Sequence, residues 1–254
     1  YNCLAKYGKT EWVSQKLPYE LKVGNLKVWI LPGDNWNTTG LVIKDASQYF
    51  EVLKKKALPD NVQFAMLATR FRGNVDPFFA MNAANASQAG LRLGAYIYSY
   101  ATSVEMAQQE ADFVLNLIKD YPISFPVVFD AEDANTLGTL TQSQVSDVIN
   151  AFCKRIQDAG YYPMVYANEY WIANKIDMSK ISYDIWVAKY QQKYTYSKTS
   201  MWQASNTGSV KGVNGNVDID YLYKDYTQII PGNTWRTIAG NRYYYQNHVM
   251  QKAA

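Results

Sequence analysis

Two patterns of hydrophobic residues alternate along the chain. Short apolar runs typical of buried strands are separated by stretches whose apolar residues lie three and four positions apart, which is typical of amphipathic helices. Eight runs, the early ones separated by helices, predict a parallel β/α barrel. The predicted strands are residues 27–31, 63–69, 91–98, 127–130, 163–166, 184–188, 200–203 and 216–219.

Helical spacing predicts helices over residues 45–57, 77–89 and 103–121, and a fourth that ends before Gly160. Thr102 with Glu105, and Thr141 with Gln144, fit the capping box that opens a helix. The last three strands have little helix between them. This difference predicts that the barrel closes in an irregular, flattened way.

Two end segments fall outside the barrel pattern, so we predict three parts: an N-terminal extension (1–25) without clear periodicity, the barrel (26–226) and a tail (227–254). In the tail, residues 234–245 predict two short strands joined at Gly240-Asn241, since Asn and Gly favour tight hairpin turns. The predicted fold class is therefore α/β, an irregular and flattened parallel barrel with a short C-terminal β-hairpin.

Composition narrows the classes of function. Hydrophobic residues make up 48% and charged residues 19%, as in ordinary globular proteins. The net charge of +3 with no basic helix argues against nucleic-acid binding. No apolar run reaches roughly 18 residues, so we expect no membrane span.

The chemistry available to the chain is limited. His248 is the single histidine and lies in a polar tail, which argues against Ser-His-Asp, Cys-His and HExxH sites. Two cysteines, Cys3 and Cys153, are too few for a zinc-cysteine cluster. No phosphate-binding glycine loop is present. We therefore expect no metal or cofactor, and carboxylates remain as the main acid–base groups.

Asp130 and Glu132 end the apolar run at 127–130. Side chains alternate along a strand, so the two carboxylates project to the same side, where mutual repulsion favours one keeping its proton. Glycosidic bond cleavage needs such a pair, and barrel enzymes place their chemistry at the C-terminal ends of the strands. The alternative is a strand end with solvated acids that cap the next segment.

Further candidates lie near the ends of other predicted strands: Tyr98, Tyr166, Gln203 and Asp218. The chain contains 22 tyrosines and 7 tryptophans, side chains that combine a flat apolar face with a hydrogen-bonding edge. Such rings suit a saccharide cleft, although most aromatic residues pack in a core.

Several segments, taken together and in order, resemble the glycoside hydrolase family 25 lysozymes (Chalaropsis type). The strongest are GAYIYSYA at 94–101 and PVVFDAE at 126–132. The resemblance covers roughly residues 26–225. Further matches lie at 76–79 with Asn82, and at 165–168, 184–188, 202–203 and 215–218.

The resemblance implies a muramidase on a flattened β/α barrel. Such enzymes cut the β-1,4 bond between N-acetylmuramic acid and N-acetylglucosamine in peptidoglycan. It implies Glu132 as the general acid/base, Asp130 as its carboxylate partner and Asp218 as an acid near the last strand. It also implies a secreted or wall-associated monomer. The residues expected to line the cleft are Tyr98, Tyr166, Trp186, Trp202 and Gln203.

One departure from the family pattern concerns the first strand. The family opens with Gly-Ile-Asp-Val-Ser, and its aspartate joins the active site. Here we match that strand to residues 28–36, where Ile30 or a neighbour replaces the acid and Asp34 is the nearest loop carboxylate. This departure, together with the repeat-like tail at 234–250, motivates the alternative of a wall carbohydrate-binding protein with weakened or lost catalysis. A hydrolase of a chitin-like chain is a third alternative, without the chitinase acidic signature.

The tail at 234–250 resembles one cell-wall-binding repeat of the choline-binding type. For the reaction, we expect Glu132 to protonate the glycosidic oxygen. Asp130 then either attacks the anomeric carbon or orients the substrate's 2-acetamido group for attack, a choice that the residues leave open. The second route is favoured because two acids on one strand edge lie close together.

Overall fold

The computed structural model describes residues 62, 64–71, 73–190, 192–208 and 216–252, together with the backbone of five strands before residue 44. Those early strands are β1 (Cys3–Lys6), β2 (Lys9–Trp12), β3 (Tyr19–Val23), β4 (Leu26–Ile30) and β5 (Gly40–Ile43). β1 pairs with β2 and β3 with β4, each antiparallel, where the sequence showed no clear periodicity before residue 26.

The later strands alternate with helices. They are β6 (Phe64–Ala68), β7 (Arg70–Phe71), β8 (Asn74–Val75), β9 (Arg92–Tyr98), β10 (Ile123–Asp130), β11 (Pro163–Asn168), β12 (Asp184–Ala188), β13 (Thr199–Gly208) and β14 (Val217–Leu222). The described helices are α1 (Phe79–Gln88), α2 (Val104–Ile118), α3 (Gln142–Asp158) and α4 (Glu169–Asn174), with 3₁₀ turns at Leu137–Thr139, Met178–Lys180 and Tyr226–Gln228.

Eight strands close into a barrel in the order β10-β11-β12-β13-β14-β5-β6-β9, which confirms the predicted α/β barrel. Six neighbouring pairs are parallel, but β14 runs antiparallel to both β13 and β5. This reversal is the irregular closure that the helix-poor last third predicted. Because β14 is reversed, its N-terminal end lies beside the C-terminal ends of the other strands.

The predicted first strand at 27–31 was wrong as a barrel strand. That segment contributes β4, which pairs with β3, and the barrel position belongs to β5. Both segments are short, apolar and β-branched, so periodicity alone could not choose between them. The choice is made by pairing, since β5 alone has a partner on each side, β6 and β14.

Side-chain alternation on β10 separates two hydrophobic layers. Val127 and Phe129 point outward to the helices, where Phe129 packs against Phe152 of α3 with ring centroids 5.2 Å apart. Val128 points into the barrel interior with the other inward rings. Asp130 shares the inward face of Val128, so the same alternation that buries the strand delivers a carboxylate to the barrel mouth.

The helix ends follow local capping chemistry. Thr141 and Gln144 form the predicted capping box of α3. Gly160, with φ of +89°, follows its end, as expected for a residue that tolerates the left-handed conformation. The cap of α2 is Ser103, which accepts from the Met106 N–H at 3.2 Å, and not the predicted Thr102. The predicted helix at 45–57 lies outside the described residues.

The tail forms the predicted hairpin and adds one strand to it. β15 (Thr234–Ile238), β16 (Asn241–Gln246) and β17 (Val249–Met250) make an antiparallel sheet. Its first turn has Ala239 and Gly240 at φ of 49° and 79°, one residue earlier than predicted, and its second has Asn247 and His248 at 49° and 66°. Two successive positive φ angles are the geometry that matches the twist of paired strands.

Arg236 anchors this sheet to the base of the barrel. Its guanidinium lies 3.9 Å from the Tyr161 ring centroid and 4.2 Å from that of Tyr245. It donates to the carbonyl oxygens of Ile123 and Gly160, at 3.3 and 3.4 Å. These carbonyls lie just after α2 and α3, whose C-terminal ends carry negative partial charge. The tail therefore docks at the end of the barrel opposite Asp130.

We expect Arg236→Met to lower the free energy of unfolding by about 2–3 kcal/mol, because it leaves buried carbonyl groups without a donor. Urea unfolding followed by circular dichroism measures the change. The matched control is Arg242→Met on the outer face of the same sheet, where the exposed Arg242 lies over Trp235, and its loss should cost less than about 1 kcal/mol. Equal losses for the two variants would contradict the anchoring role.

Candidate active site

A cleft of about 760 Å³ opens at the barrel mouth, where the parallel strands end and β14 begins. Its walls carry both acidic and aromatic side chains, the combination that the sequence predicted. The cleft is lined by seven of the nine predicted site residues: Tyr98, Asp130, Glu132, Tyr166, Trp186, Gln203 and Asp218.

Asp130 and Glu132 share this cleft, as alternation along β10 predicted. Asp130 is the last residue of the strand and lies in register between Tyr98 of β9 and Tyr166 of β11. It is 8% exposed, whereas Glu132, two residues further, is only partly buried. The deeper carboxylate thus lies beneath the more accessible one.

Glu132 lies in an environment suited to a proton donor. Burial raises the pKa of its carboxyl, and hydrogen bonds from the backbone and side chain of Asn168 partly oppose that rise. The Asn168 N–H donates to Oε1 at 2.6 Å. The sequence argument attributed the raised pKa to repulsion by Asp130, but burial is the leading cause here. Glu132 therefore keeps its proton to higher pH than an exposed glutamate.

Asp133 fixes the loop that carries Glu132. Its Oδ1 accepts from the Thr136 N–H at 2.8 Å and the Asn135 N–H at 3.0 Å, and its Oδ2 accepts from the Tyr98 hydroxyl at 3.2 Å. One buried carboxylate thereby holds both the loop after β10 and an aromatic wall of the cleft. This residue was not among the predicted site residues.

Gln203 organises the opposite side of the cleft. Its Oε1 accepts from the hydroxyls of Tyr166 and Tyr190, at 2.8 and 2.7 Å. Burial raises the pKa of both tyrosines, so both hydroxyls keep their protons and remain donors to Gln203. Their remaining oxygen lone pairs are able to accept hydrogen bonds from sugar hydroxyls.

A second acid pair lies across the cleft on β14. Asp218 lines the cleft, and Asp220 lies two residues deeper with no exposed surface. The Trp186 Nε1–H donates to Asp220 Oδ1 at 2.9 Å. Burial, and then the nearby Asp218, raises the pKa of Asp220 well above its usual range. Burial therefore favours the protonated form of Asp220, and Asp218 is the member of this acid pair that lines the cleft.

One predicted site residue lies outside the cleft, and one is not among the described residues. Trp202 was wrong as a cleft residue: it points outward from β13, donates its Nε1–H to the Lys189 carbonyl at 2.8 Å and stacks on Tyr221. It neighbours the inward Gln203, so alternation places it on the other face. Asp34 lies outside the described residues.

Several cleft residues were missed, although alternation over two positions could have found them. Each stands two positions from a residue whose side chain faces the barrel interior or mouth, as Tyr96 does from Tyr98. Alternation would have identified Tyr96 within β9 and, two positions beyond the ends of β6 and β12, Arg70 and Tyr190.

Within the described part of the chain, no helix is both long and apolar enough to cross a membrane.

Comparison with known proteins agrees with this architecture. The family described as Glycosyl hydrolases family 25 matches residues 46–213, well over half of the chain. A curated relative, the uncharacterized protein YegX of Escherichia coli K12, is 29% identical over 164 residues, which is 63% of this chain and 58% of YegX. The chain thus spans less than two thirds of the curated relatives it matches.

Solved structures share the fold. The Clostridium perfringens spore cortex lytic enzyme SleM aligns with a TM-score of 0.61 and 18% identity over 81% of this chain and 75% of its own. The bacterial lysozyme from Streptomyces coelicolor aligns with a TM-score of 0.57 and 22% identity over 75% and 94%. From the family match, this chain belongs to glycosyl hydrolases family 25.

Proposed function

We propose that this protein is an N-acetylmuramidase that cuts the β-1,4 bond between N-acetylmuramic acid and N-acetylglucosamine in peptidoglycan, with retention of configuration. One observation carries the proposal. Asp130 and Glu132 line a single cleft at the mouth of the barrel, and burial raises the pKa of Glu132. Enzymes that hydrolyse glycosidic bonds generally need a pair of carboxyl groups, one of which donates a proton.

Glu132 acts as the acid and then as the base. As the glycosidic bond breaks, its proton moves to the leaving oxygen, and the resulting carboxylate later takes a proton from the attacking water. The Asn168 N–H, which donates to Oε1, then stabilises the anionic form between these two steps. The same hydrogen bond fixes the carboxyl in the cleft, so the donor is oriented before substrate arrives.

Asp130 supports the positive charge that develops at the anomeric carbon. Two routes use it: direct attack on that carbon, or orientation of the 2-acetamido group whose oxygen attacks instead. We favour the second route because Asp130 lies deep at the strand end, between Tyr98 and Tyr166 in the sheet, while Glu132 follows it on the same side. In this route the substrate supplies the nucleophile and Asp130 holds it.

Asp218 adds a carboxyl group across the cleft, while the raised pKa of Asp220 beneath it favours the neutral form of that residue. This arrangement limits the charge on that side of the cleft and lets Asp220 hold the Trp186 indole through a hydrogen bond. Trp186 in turn meets the Tyr166 ring edge-on, with centroids 4.8 Å apart. We propose that Asp218, Tyr98, Tyr166, Trp186 and Gln203 bind the sugar.

We further propose that the protein works as a monomer, secreted or associated with the cell wall, because its substrate lies there. The tail at 227–254 is proposed as a wall-binding unit fused to the barrel. The barrel strand β5 carries no carboxylate in its sequence, Gly40-Leu41-Val42-Ile43, so the first-strand acid of the family pattern is missing here too. Among the described residues, the acids of β10 and β14 are the ones proposed to act in hydrolysis.

We expect Glu132→Gln to lower hydrolysis by about 10²–10⁴-fold, because it keeps the shape of the side chain and removes the transferable proton. Release of reducing ends from purified peptidoglycan, with mass spectrometry of the products, measures both rate and bond. The control is Glu105→Gln, an exposed glutamate in the first turn of α2, which should leave the rate unchanged.

Near wild-type lysis by Glu132→Gln would remove it as the acid. Wall binding without any release by the wild-type protein would instead support the carbohydrate-binding alternative.

The nucleophile is tested by trapping. A 2-fluoro sugar substrate with a good leaving group leaves a covalent adduct on an enzymatic carboxylate nucleophile but none in the acetamido route. We expect intact-mass measurement to show no added sugar on the wild-type protein. An adduct mapped to Asp130 would establish direct attack and overturn the route that we favour.

Asp220→Asn tests the neutral buried acid. A raised pKa in the folded state means that the folded protein holds a proton that the unfolded chain releases, so wild-type stability falls as the pH rises above about 3.9. The asparagine variant lacks this loss. The melting temperature of Asp220→Asn minus that of the wild type should therefore increase from pH 4 to pH 8.

The control for this experiment is Gln157→Asn, an exposed position of α3 without a titratable group, for which we expect a difference from the wild type that does not change with pH. A constant difference for Asp220→Asn as well would mean that Asp220 is ionised in the fold.

A further inference from the structure

One buried carboxylate has no part in the proposed mechanism. Glu110 lies in the middle of α2 and is only 7% exposed, although glutamate is among the residues least often buried. Removing a charged group from water is costly, and apolar side chains of similar volume often stabilise a fold equally well. The contacts of Glu110 therefore show what its burial serves.

Glu110 accepts hydrogen bonds from the end of a single strand. Its Oε2 accepts from the Ser99 hydroxyl at 2.6 Å, and its Oε1 accepts from the Tyr100 N–H at 3.0 Å and from Arg70 Nη2 at 2.6 Å. The same Arg70 nitrogen donates to the Tyr98 carbonyl at 2.7 Å. Directly or through Arg70, Glu110 thus holds residues 98–100, where β9 ends.

This strand end is bonded directly to the segment that carries the two acids. Ser99, which has no exposed surface, donates its N–H to the carbonyl oxygen of Asp130 at 3.1 Å. On the other side, the Ala131 N–H donates to the Tyr166 carbonyl at 2.9 Å. The backbone at Asp130 is therefore held between β9 and β11, and Glu110 secures the β9 side of this support.

From these contacts, and resting on the proposed function, we propose that Glu110 is a positioning residue for the hydrolysis, which acts on Asp130 through Ser99. A carboxyl group that supports charge at the anomeric carbon must be held to within about 0.5 Å of its productive place. Ser99 fixes the Asp130 carbonyl, and the hydroxyl of Ser99 is itself fixed by Glu110. Loosening that contact displaces Asp130 from the bond that breaks.

The first test is Glu110→Gln, which keeps the shape of the side chain and removes its charge. We expect kcat on soluble, peptide-free glycan chains to fall about 10- to 100-fold with KM within about twofold of the wild type, because misplacing a reacting group slows the chemical step. Ser99→Ala removes the hydroxyl donor and should lower kcat in the same way. Glu105→Gln, the same substitution at an exposed position of α2, is the matched control and should leave kcat unchanged.

An Asp130→Asn background separates positioning from a merely structural role. If Glu110 acts through Asp130, Glu110→Gln should lower kcat by less than about twofold once the Asp130 carboxyl is gone, because residues that act as a unit are not additive. A structural role, such as a smaller folded fraction, would lower kcat by the same factor in both backgrounds. Equal losses in the two backgrounds, or a rate of Glu110→Gln near that of the wild type, would overturn the proposal.

A second measurement does not depend on hydrolysis. Amide hydrogen exchange followed by NMR reports the hydrogen bond from the Ser99 N–H to Asp130. We expect Glu110→Gln to speed exchange at Ser99 at least about tenfold, the order of one hydrogen bond to a charged group. The Ile97 amide, two residues earlier in β9, is the internal control and should exchange at the wild-type rate, since global unfolding would speed both.

The two measurements also separate this proposal from the proposed function. If the wild-type protein cuts no glycan, the proposed hydrolysis fails, while faster exchange at Ser99 alone still establishes that Glu110 holds the strand end at Asp130. Unchanged exchange at Ser99 in Glu110→Gln would overturn that role whatever the wild-type activity.

Discussion

Strict alternation of side chains around a closed sheet is the constraint on which the rest of this protein depends. In β10 it sends Val127 and Phe129 to the helices and Val128 and Asp130 to the interior. Closure then brings the inward residues of separate strands to one mouth. The same alternation therefore determines both the packing and the chemistry. A shift of register by one residue would bury the Asp130 carboxyl among the helices and turn Phe129 toward the interior.

The second constraint on the site is the depth at which each acid is buried, because burial changes its pKa. Burial, more than repulsion between neighbouring acids, raises the pKa of both Glu132 and Asp220. Asn168 holds Glu132 and Trp186 holds Asp220. Glu132 remains accessible to a substrate, whereas the fully buried Asp220 supports the Trp186 indole.

Local pattern was sufficient for most of the fold and for the central acids. The strands from 63 onward, the capping box at Thr141 and the cleft positions of Asp130, Glu132 and Asp218 follow from spacing and family resemblance. The failures have two causes: a single segment does not reveal its pairing partner, and the alternation of side chains was not applied to every aromatic candidate. Residues 27–31 look like a barrel strand but find their partner in β3, and Trp202 looks like a cleft ring but lies one position out of phase with Gln203.

The reversal of β14 orders its acids differently from those of β10. Along β10 the later carboxyl is nearer to solvent, and along β14 the later carboxyl is farther from it. Each of the two strands therefore contributes one acid near the mouth of the barrel and one acid that lies deeper. Because the buried positions of a strand set its register, an insertion within β14 between Asp218 and Asp220 would turn one of these two acids away from the barrel interior. An insertion beyond Asp133 would instead fall after the residues that hold Glu132 in place.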